Sequence, residues 1–442
     1  MKLYEKQLGA GITFRAIPKE GLKTDYLLLS FRAPLTKENA VLQAMLPPVL
    51  GRGCEKYPDL ETLSEHLDTL YYAYAGCRTA RLGETETLQF SVRALETACV
   101  PEHEDVFLGA LETLAELALH PLIENGGFRA SYVETEKKNA VDAIRSRISN
   151  KEAYAAMRCT EEMCRDEAYA FGCFREEDVL AVTPEALYRA YREMLAYAPA
   201  DIFYVGKRDP GELAHRFSEC FAPLLAGRKT PLWETGTEVL RRAAHPVRYV
   251  DEDQPAHQGK LQIGFRSGSV LSDGDYYVTV LFNELFGGSA SSRLFLRVRE
   301  AMGLCYYCSS AEDPYKGLTF VACGVSGGNR KAAEEAIFSE LADIAAGNIS
   351  DAEFDAAKKS VYAGYMAIED SNSSLAQWYY NRILAGIDTS PAETAAQVLS
   401  VTKEQTAAAA ARLTADTVYY MNGTLPDDEN GCGGEAFDDD DL

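Results

Sequence analysis

Two stretches of this chain follow one plan. Leu27-Leu28-Leu29-Ser30-Phe31-Arg32-Ala33 is a short, nearly continuous apolar run that reads as a buried strand. Leu261-Gln262-Ile263-Gly264-Phe265-Arg266-Ser267 repeats it in the second half. After each run come a polar turn and a segment of helical periodicity, over residues 37–50 and 273–286. Glycines break both helices, Gly51 and Gly53 in the first unit and Gly287 and Gly288 in the second. Each unit then continues through a second helix to a tyrosine pair, Tyr71-Tyr72 or Tyr306-Tyr307. A strand follows, Glu86 to Ala94 or Leu318 to Val325.

Further helices flank both units. Residues 104–119 place Phe107, Leu111, Leu114 and Ala118 on one face. Residues 329–346 do the same with Ala332, Ala336, Ile337, Leu341 and Ile344, and Ser350 and Glu353 form the capping box of another helix. A repeat of half the chain excludes a solenoid. It predicts an α+β protein of two duplicated domains, each a mostly antiparallel sheet packed with helices. The domains span 1–228 and 246–425, joined by a linker at 229–245 that holds Pro231 and Gly236.

Composition narrows the function classes. With 442 residues, 47% hydrophobic and 25% charged, the chain has the proportions of an ordinary globular protein with room for two cores. No stretch approaches ~20 uncharged apolar residues, so no membrane partner is expected. The charged start, Met1 to Lys6, is not followed by the apolar segment of an export signal, so the expected location is cytoplasmic. A net charge of -23 argues against nucleic acid. Acidic residues crowd 426–442, which is expected to be a disordered, solvated tail. Eleven cysteines, an odd number, fit reduced thiols. Cys305-Tyr306-Tyr307-Cys308 is a lone C-x-x-C without a second pair at zinc spacing, and is expected to be buried thiols beside a core strand.

The chemistry concentrates after Asn283. Asn283-Glu284-Leu285-Phe286-Gly287-Gly288 leads into Ser291-Ser292-Arg293-Leu294-Phe295-Leu296-Arg297-Val298-Arg299, and Tyr306 follows. This order and spacing resembles the C-terminal half of the M16 (insulinase/pitrilysin-type) metallopeptidases. The resemblance implies a clam-shell half of the M16/LuxS-metallohydrolase-like fold. It implies that Arg299 and Tyr306 are the catalytic pair that holds a substrate carbonyl, with substrate contacts from Gly287, Gly288, Ser291, Ser292 and Arg293. Two other motifs fail. The glycine-serine stretch lacks the lysine and spacing of a P-loop. Gly324-Val325-Ser326-Gly327-Gly328 fits G-x-S-x-G, but the last histidine, His257, precedes the serine.

The other half of the resembled machine is missing. In that family a zinc-binding His-x-x-Glu-His helix stands shortly before a Lys/Arg-Gly-Thr turn. Arg52-Gly53-Cys54 takes the place of the turn, which puts Ala44, Met45, Leu46, Pro47 and Pro48 at the motif. The chemistry needs two imidazoles and a carboxylate base on one helical turn. None is present, and Pro47-Pro48 is expected to break the helix. The third ligand, paired with Glu136, would fall on Ala143. None of the six histidines forms an i, i+4 pair, so no cofactor of the chain's own is expected.

The resemblance therefore implies a non-catalytic, zinc-less subunit of a heterodimeric peptidase. Its partner would be an M16 subunit carrying His-x-x-Glu-His and the zinc, and its substrate a peptide. It also resembles zinc-less M16-like proteins linked to modification of elongation factor P. The competing expectation is an inactive M16-like scaffold or peptide-binding module.

Overall fold

In the computed structural model, which describes residues 3–233 and 240–425, the two sequence units become two sheets. The first half supplies β1 (Tyr4–Gly9), β2 (Ile12–Pro18), β3 (Thr24–Pro34), β4 (Tyr74–Leu82) and β5 (Thr85–Leu95). A small hairpin follows, β6 (Ile123–Glu124) and β7 (Gly127–Phe128), and then β8 (Ala200–Gly206). The second half supplies β9 (Arg248–Gln254), β10 (Gly259–Arg266), β11 (Cys305–Asp313), β12 (Leu318–Val325) and β13 (Thr414–Gly423). The sheet orders are β1-β2-β8-β3-β5-β4 and β11-β12-β10-β13-β9. Apart from β1, they correspond strand for strand. β2–β8 and β9–β13 are parallel, and every other neighbouring pair in the two sheets is antiparallel. This is the duplicated α+β architecture that the repeat predicts.

Both central strands are buried on both faces, which is why they read as unbroken apolar runs. Leu27, Leu29 and Phe31 of β3 enter the first core, with the helices Ala40–Leu50, Val106–Leu119 and Pro184–Tyr197. Tyr26 and Leu28 face the other way. In the second sheet, Leu261, Ile263 and Phe265 enter a core shared with the helices Tyr276–Asn283, Arg330–Ala345 and Lys403–Arg412.

The remaining faces are covered by exchange. The helix Lys151–Met163, from the first half, packs on β10 and β13 of the second sheet. Its Ala155 and Cys159 meet Tyr419 and Met421. The helix Asn372–Leu384, from the second half, packs on β3 and β8 of the first sheet. Its Leu375, Ala376, Tyr379 and Tyr380 meet Tyr26, Leu28, Phe203 and Val205. The larger apolar side chains among them, such as Leu375, Leu28, Phe203 and Met421, each contribute about 1.5–3 kcal/mol relative to exposure.

Polar groups trapped at these seams are paired. Ser30 donates to Tyr380 Oη at 2.8 Å. Arg266 reaches Glu167 at 2.6 Å and Asp416 at 3.1 Å. Lys316, with 0% side-chain exposure, bridges Glu84 at 2.7 Å and Glu167 at 2.6 Å. One sequence expectation is corrected here. Pro47 and Pro48 do not break their helix, which runs through both to Leu50. They fall near its end, where burial of Met45, Leu46, Val49 and Leu50 holds the backbone despite two missing N–H groups. The turn beyond it needs Gly53, whose φ is +146° and whose added Cβ would lie 2.5 Å from the Tyr57 carbonyl oxygen.

Among the described residues no helix is long and apolar enough to cross a membrane. The expected acidic tail lies outside the described residues, as does part of the linker. Removing one member of a buried ion network leaves uncompensated charge, so Lys316→Ala is expected to cost about 3–5 kcal/mol. Urea unfolding followed by circular dichroism reads this as a lowered midpoint, and a loss below about 1 kcal/mol would contradict the seam assignment.

Candidate functional site

The Arg299–Tyr306 region is built on widened helix. After the helix Tyr276–Asn283 the chain continues as a π-helical segment, Glu284–Gly288. Ser289 to Arg293 form a short connection, and a second π-helix, Leu294–Ala301, follows. The Met302 N–H reaches back five residues to the Arg297 carbonyl at 2.9 Å. π-helical turns are rare and gather at functional sites. Gly303, at φ +61°, then turns the chain into β11, the edge strand of the second sheet.

Gly287 and Asn283 lock the first widened segment onto β11. A Cβ on Gly287 would lie 2.5 Å from Ser310 Oγ and 2.6 Å from Ser310 N, so only glycine permits this approach. The Ser310 hydroxyl donates to Asn283 Oδ1 at 2.7 Å.

Three arginines in this stretch have different fates. Arg293 is buried; it pairs with Glu353 at 2.5 Å, lies 3.7 Å from Glu340, and donates to the Asn348 carbonyl. Burial alone would raise the Glu353 carboxyl, but the Arg293 hydrogen bond, the Ser350 N–H and the charges of Arg293 and Arg297 together hold the group below the usual carboxylate range. Arg297 pairs with Glu340 at 2.9 Å and lies 3.8 Å from Asp343. Arg299 is the exception. It is about as exposed as Arg297, but it stacks over Phe295 at 4.5 Å, and its ion partner among the described residues is its own neighbour Glu300 at 3.4 Å.

Tyr306, the second residue of β11, is 55% exposed and stands outside the core. Leu296 and Met302 are exposed beside this stretch as well. The second π-helix packs against β11, and the Arg299 charge is felt at the Cys305 thiol, next to Tyr306. Of the other expected contact residues, Gly288 and Ser291 are exposed. Gly287, Ser292 and Arg293 are buried in the packing instead.

The place where the motif count puts a zinc site does not fit the ion. Ala44, Pro47, Pro48 and Ala143 carry no donor atom for a metal. The helix Ala40–Leu50 packs on the helix Ala130–Ser149, whose buried Glu136 is bound by Arg52 at 2.5 Å and by Asn139 at 3.2 Å. His66 is occupied structurally: it stacks on Tyr57 at 4.5 Å and shares a hydrogen bond with Thr113 Oγ1 at 3.0 Å. Burial lowers its pKa, with Lys56 adding to the effect.

The C-x-x-C reading missed a third cysteine. Cys323 on β12 stands opposite Cys308 on β11. Among the described residues, Cys305, Cys308 and Cys323 form the one group of His, Cys, Asp or Glu whose ligand atoms converge, all within 4.8 Å of one another. Strand pairing, not sequence spacing, brings the third thiol in.

Comparison with known proteins gives a consistent set of likenesses. Residues 181–361 match the Peptidase M16 inactive domain. The chain is 28% identical over 420 residues to a Bacillus subtilis (strain 168) protein named "Probable inactive metalloprotease YmfF", covering 95% of this chain and 97% of that one. A crystal structure of a conserved protein from Enterococcus faecalis V583 superposes with a TM-score of 0.88 at 25% identity, covering 97% of this chain and 100% of that chain. The peptidase M16 inactive domain from Pseudomonas fluorescens has the same fold, with a TM-score of 0.77 at 17% identity over 97% of this chain and 99% of that one.

The different fates of the arginines are measurable. Arg293→Ala removes the cation bonded to Glu353 and leaves that carboxylate only the more distant Arg297, at 3.9 Å, and is expected to cost about 3–5 kcal/mol. Arg299→Ala, at a half-exposed position, is expected to stay within about 0.5 kcal/mol. Equal losses in chemical denaturation would contradict the distinction.

Proposed function

This chain is an M16-like protein that carries a Peptidase M16 inactive domain, and from that premise we propose that it is the zinc-less subunit of a two-subunit metallopeptidase. The partner, an M16 subunit with His-x-x-Glu-His, holds the zinc and activates the hydrolytic water. This chain contributes Arg299 and Tyr306. The observation that carries the reading is that Arg299, alone of the three arginines on its segment, is paired among the described residues only with its own neighbour and not with a carboxylate from another element.

The chemistry follows from the donors. A guanidinium and a phenol hydroxyl both donate to a carbonyl oxygen, and both bonds strengthen as that oxygen gains charge. β11 is an edge strand, so an extended peptide laid along it pairs with its backbone and presents carbonyls to both donors. Exposed Leu296 and Met302 supply apolar contact for the peptide or the partner subunit. Substrate contact from the loop falls to Gly288 and Ser291, the exposed members of the expected set. We place the protein in the cytoplasm, where reduced thiols persist. The competing reading is a scaffold without a part in cleavage, and it assigns no role to Arg299.

Reconstitution with a zinc-bearing M16 subunit decides between them. Arg299→Ala is expected to lower kcat of peptide cleavage by about 10²–10³-fold, the usual cost of losing one oxyanion donor, with the mass of the complex unchanged. Tyr306→Phe, which removes only the hydroxyl, is expected to fall in the same direction. Unchanged kcat in both variants would favour the scaffold.

A further inference from the structure

We propose that Cys305, Cys308 and Cys323 form a three-thiolate site for one soft metal ion of the Cu(I)/Zn(II) class. This inference rests on the cysteines themselves and is independent of the proposed role of Arg299.

The geometry is specific. Cys308 and Cys323 are directly opposite each other on antiparallel strands, and both point into the second core. Cys305 lies three residues before Cys308, and regular strand alternation would send it to the other face. The register of β11 against β12 slips between Cys305 and Tyr307, which absorbs the odd residue. Cys305 therefore returns to the core side and packs on the same cluster, while Tyr306 is exposed. The result is three sulfurs within 4.8 Å of one another. Three thiolates around one ion at a metal–sulfur distance of about 2.3 Å stand roughly 4 Å apart, so the set closes on an ion with shifts of under about 1 Å.

The donor chemistry selects the ion. Thiolates alone, with no carboxylate or imidazole in the group, suit Cu(I) and Zn(II) and reject Mg(II) and Ca(II). Among the described residues no fourth protein ligand joins them. Cu(I) is satisfied by three sulfurs, whereas Zn(II) takes a water on the half-buried Cys305 side. The three thiols share their protons unevenly: hydrogen bonding to Cys305 and burial hold Cys308 and Cys323 above the ordinary thiol range, so the ion itself must displace those two protons. Hydrogen bonds from the other two thiols pull Cys305 below the ordinary thiol range, and the Arg299 guanidinium adds to the effect. A pair of thiols facing across two strands accounts for a structural contact. It does not account for a bulge that brings a third sulfur to the same point.

The test uses the full-length chain, reduced and kept under argon. It is titrated separately with Co(II), as a probe for Zn(II), and with Cu(I) against a competing chelator. The expected result is one ion per chain, with a thiolate-to-cobalt charge-transfer band that Zn(II) or Cu(I) abolishes. Which ion displaces the other identifies the preferred metal. Because binding releases thiol protons, affinity is expected to fall as pH falls.

In the unaltered protein, the ion should protect Cys305, Cys308 and Cys323 together from alkylation, as mapped by peptide mass spectrometry. Cys305→Ser, at the half-buried position, is expected to weaken binding by more than the about 100-fold typical of losing an outer-shell partner. No bound ion would overturn the site. So would equal binding by Cys305→Ser, or protection of Cys308 and Cys323 through a disulfide without metal.

Discussion

Each central sheet is buried on both faces, and neither half of the chain can provide both covers. The helix Lys151–Met163 leaves its own half to lie on β10 and β13, and the helix Asn372–Leu384 returns the exchange on β3 and β8. These helices occupy equivalent places on two sheets of equivalent strand order. An isolated half would expose a wide apolar sheet face and strand the charges of Arg266, Lys316 and Glu167. The rest of the molecule depends on this exchange. It explains the continuous apolar runs and the buried ion network at the seam.

That edge strand gives the candidate site its character. Helices and carboxylates behind it fix Arg293 and Arg297, so the segment is held in place before Arg299 is reached. Arg299 then sits at the end of a widened helix with its guanidinium on an aromatic ring, and Tyr306 stands outward one turn and one strand residue later. The first-half helix Ala40–Leu50, which matches Tyr276–Asn283 in the repeat, offers no comparable donors. Where a metal helix would offer ligands, the chain has prolines and an alanine, and the nearby Glu136 is bound by Arg52.

Much of this was legible in the sequence, and the exceptions have physical causes. The duplication, both buried strands and the Ser350 capping box follow from period and local chemistry, and the structure reproduces them. The π-helical widening was not legible, because the segment's apolar spacing also fits an ordinary helix. Nor was the burial of Arg293, whose partners Glu340 and Glu353 come from helices far along the chain. The prolines misled because helix propensity is local, whereas burial of Met45 and Leu46 is tertiary. Cys323 was invisible to a spacing rule because its proximity to Cys308 is set by strand register.

The central claim is that the chain works beside a zinc-bearing subunit. The most direct measurement is gentle purification of the tagged protein from its native cells, with mass spectrometry of what accompanies it and the stoichiometry of the complex. The account predicts an M16 protein with an intact His-x-x-Glu-His at a near 1:1 ratio. Recovery of the chain alone, or with a partner lacking that motif, would contradict it.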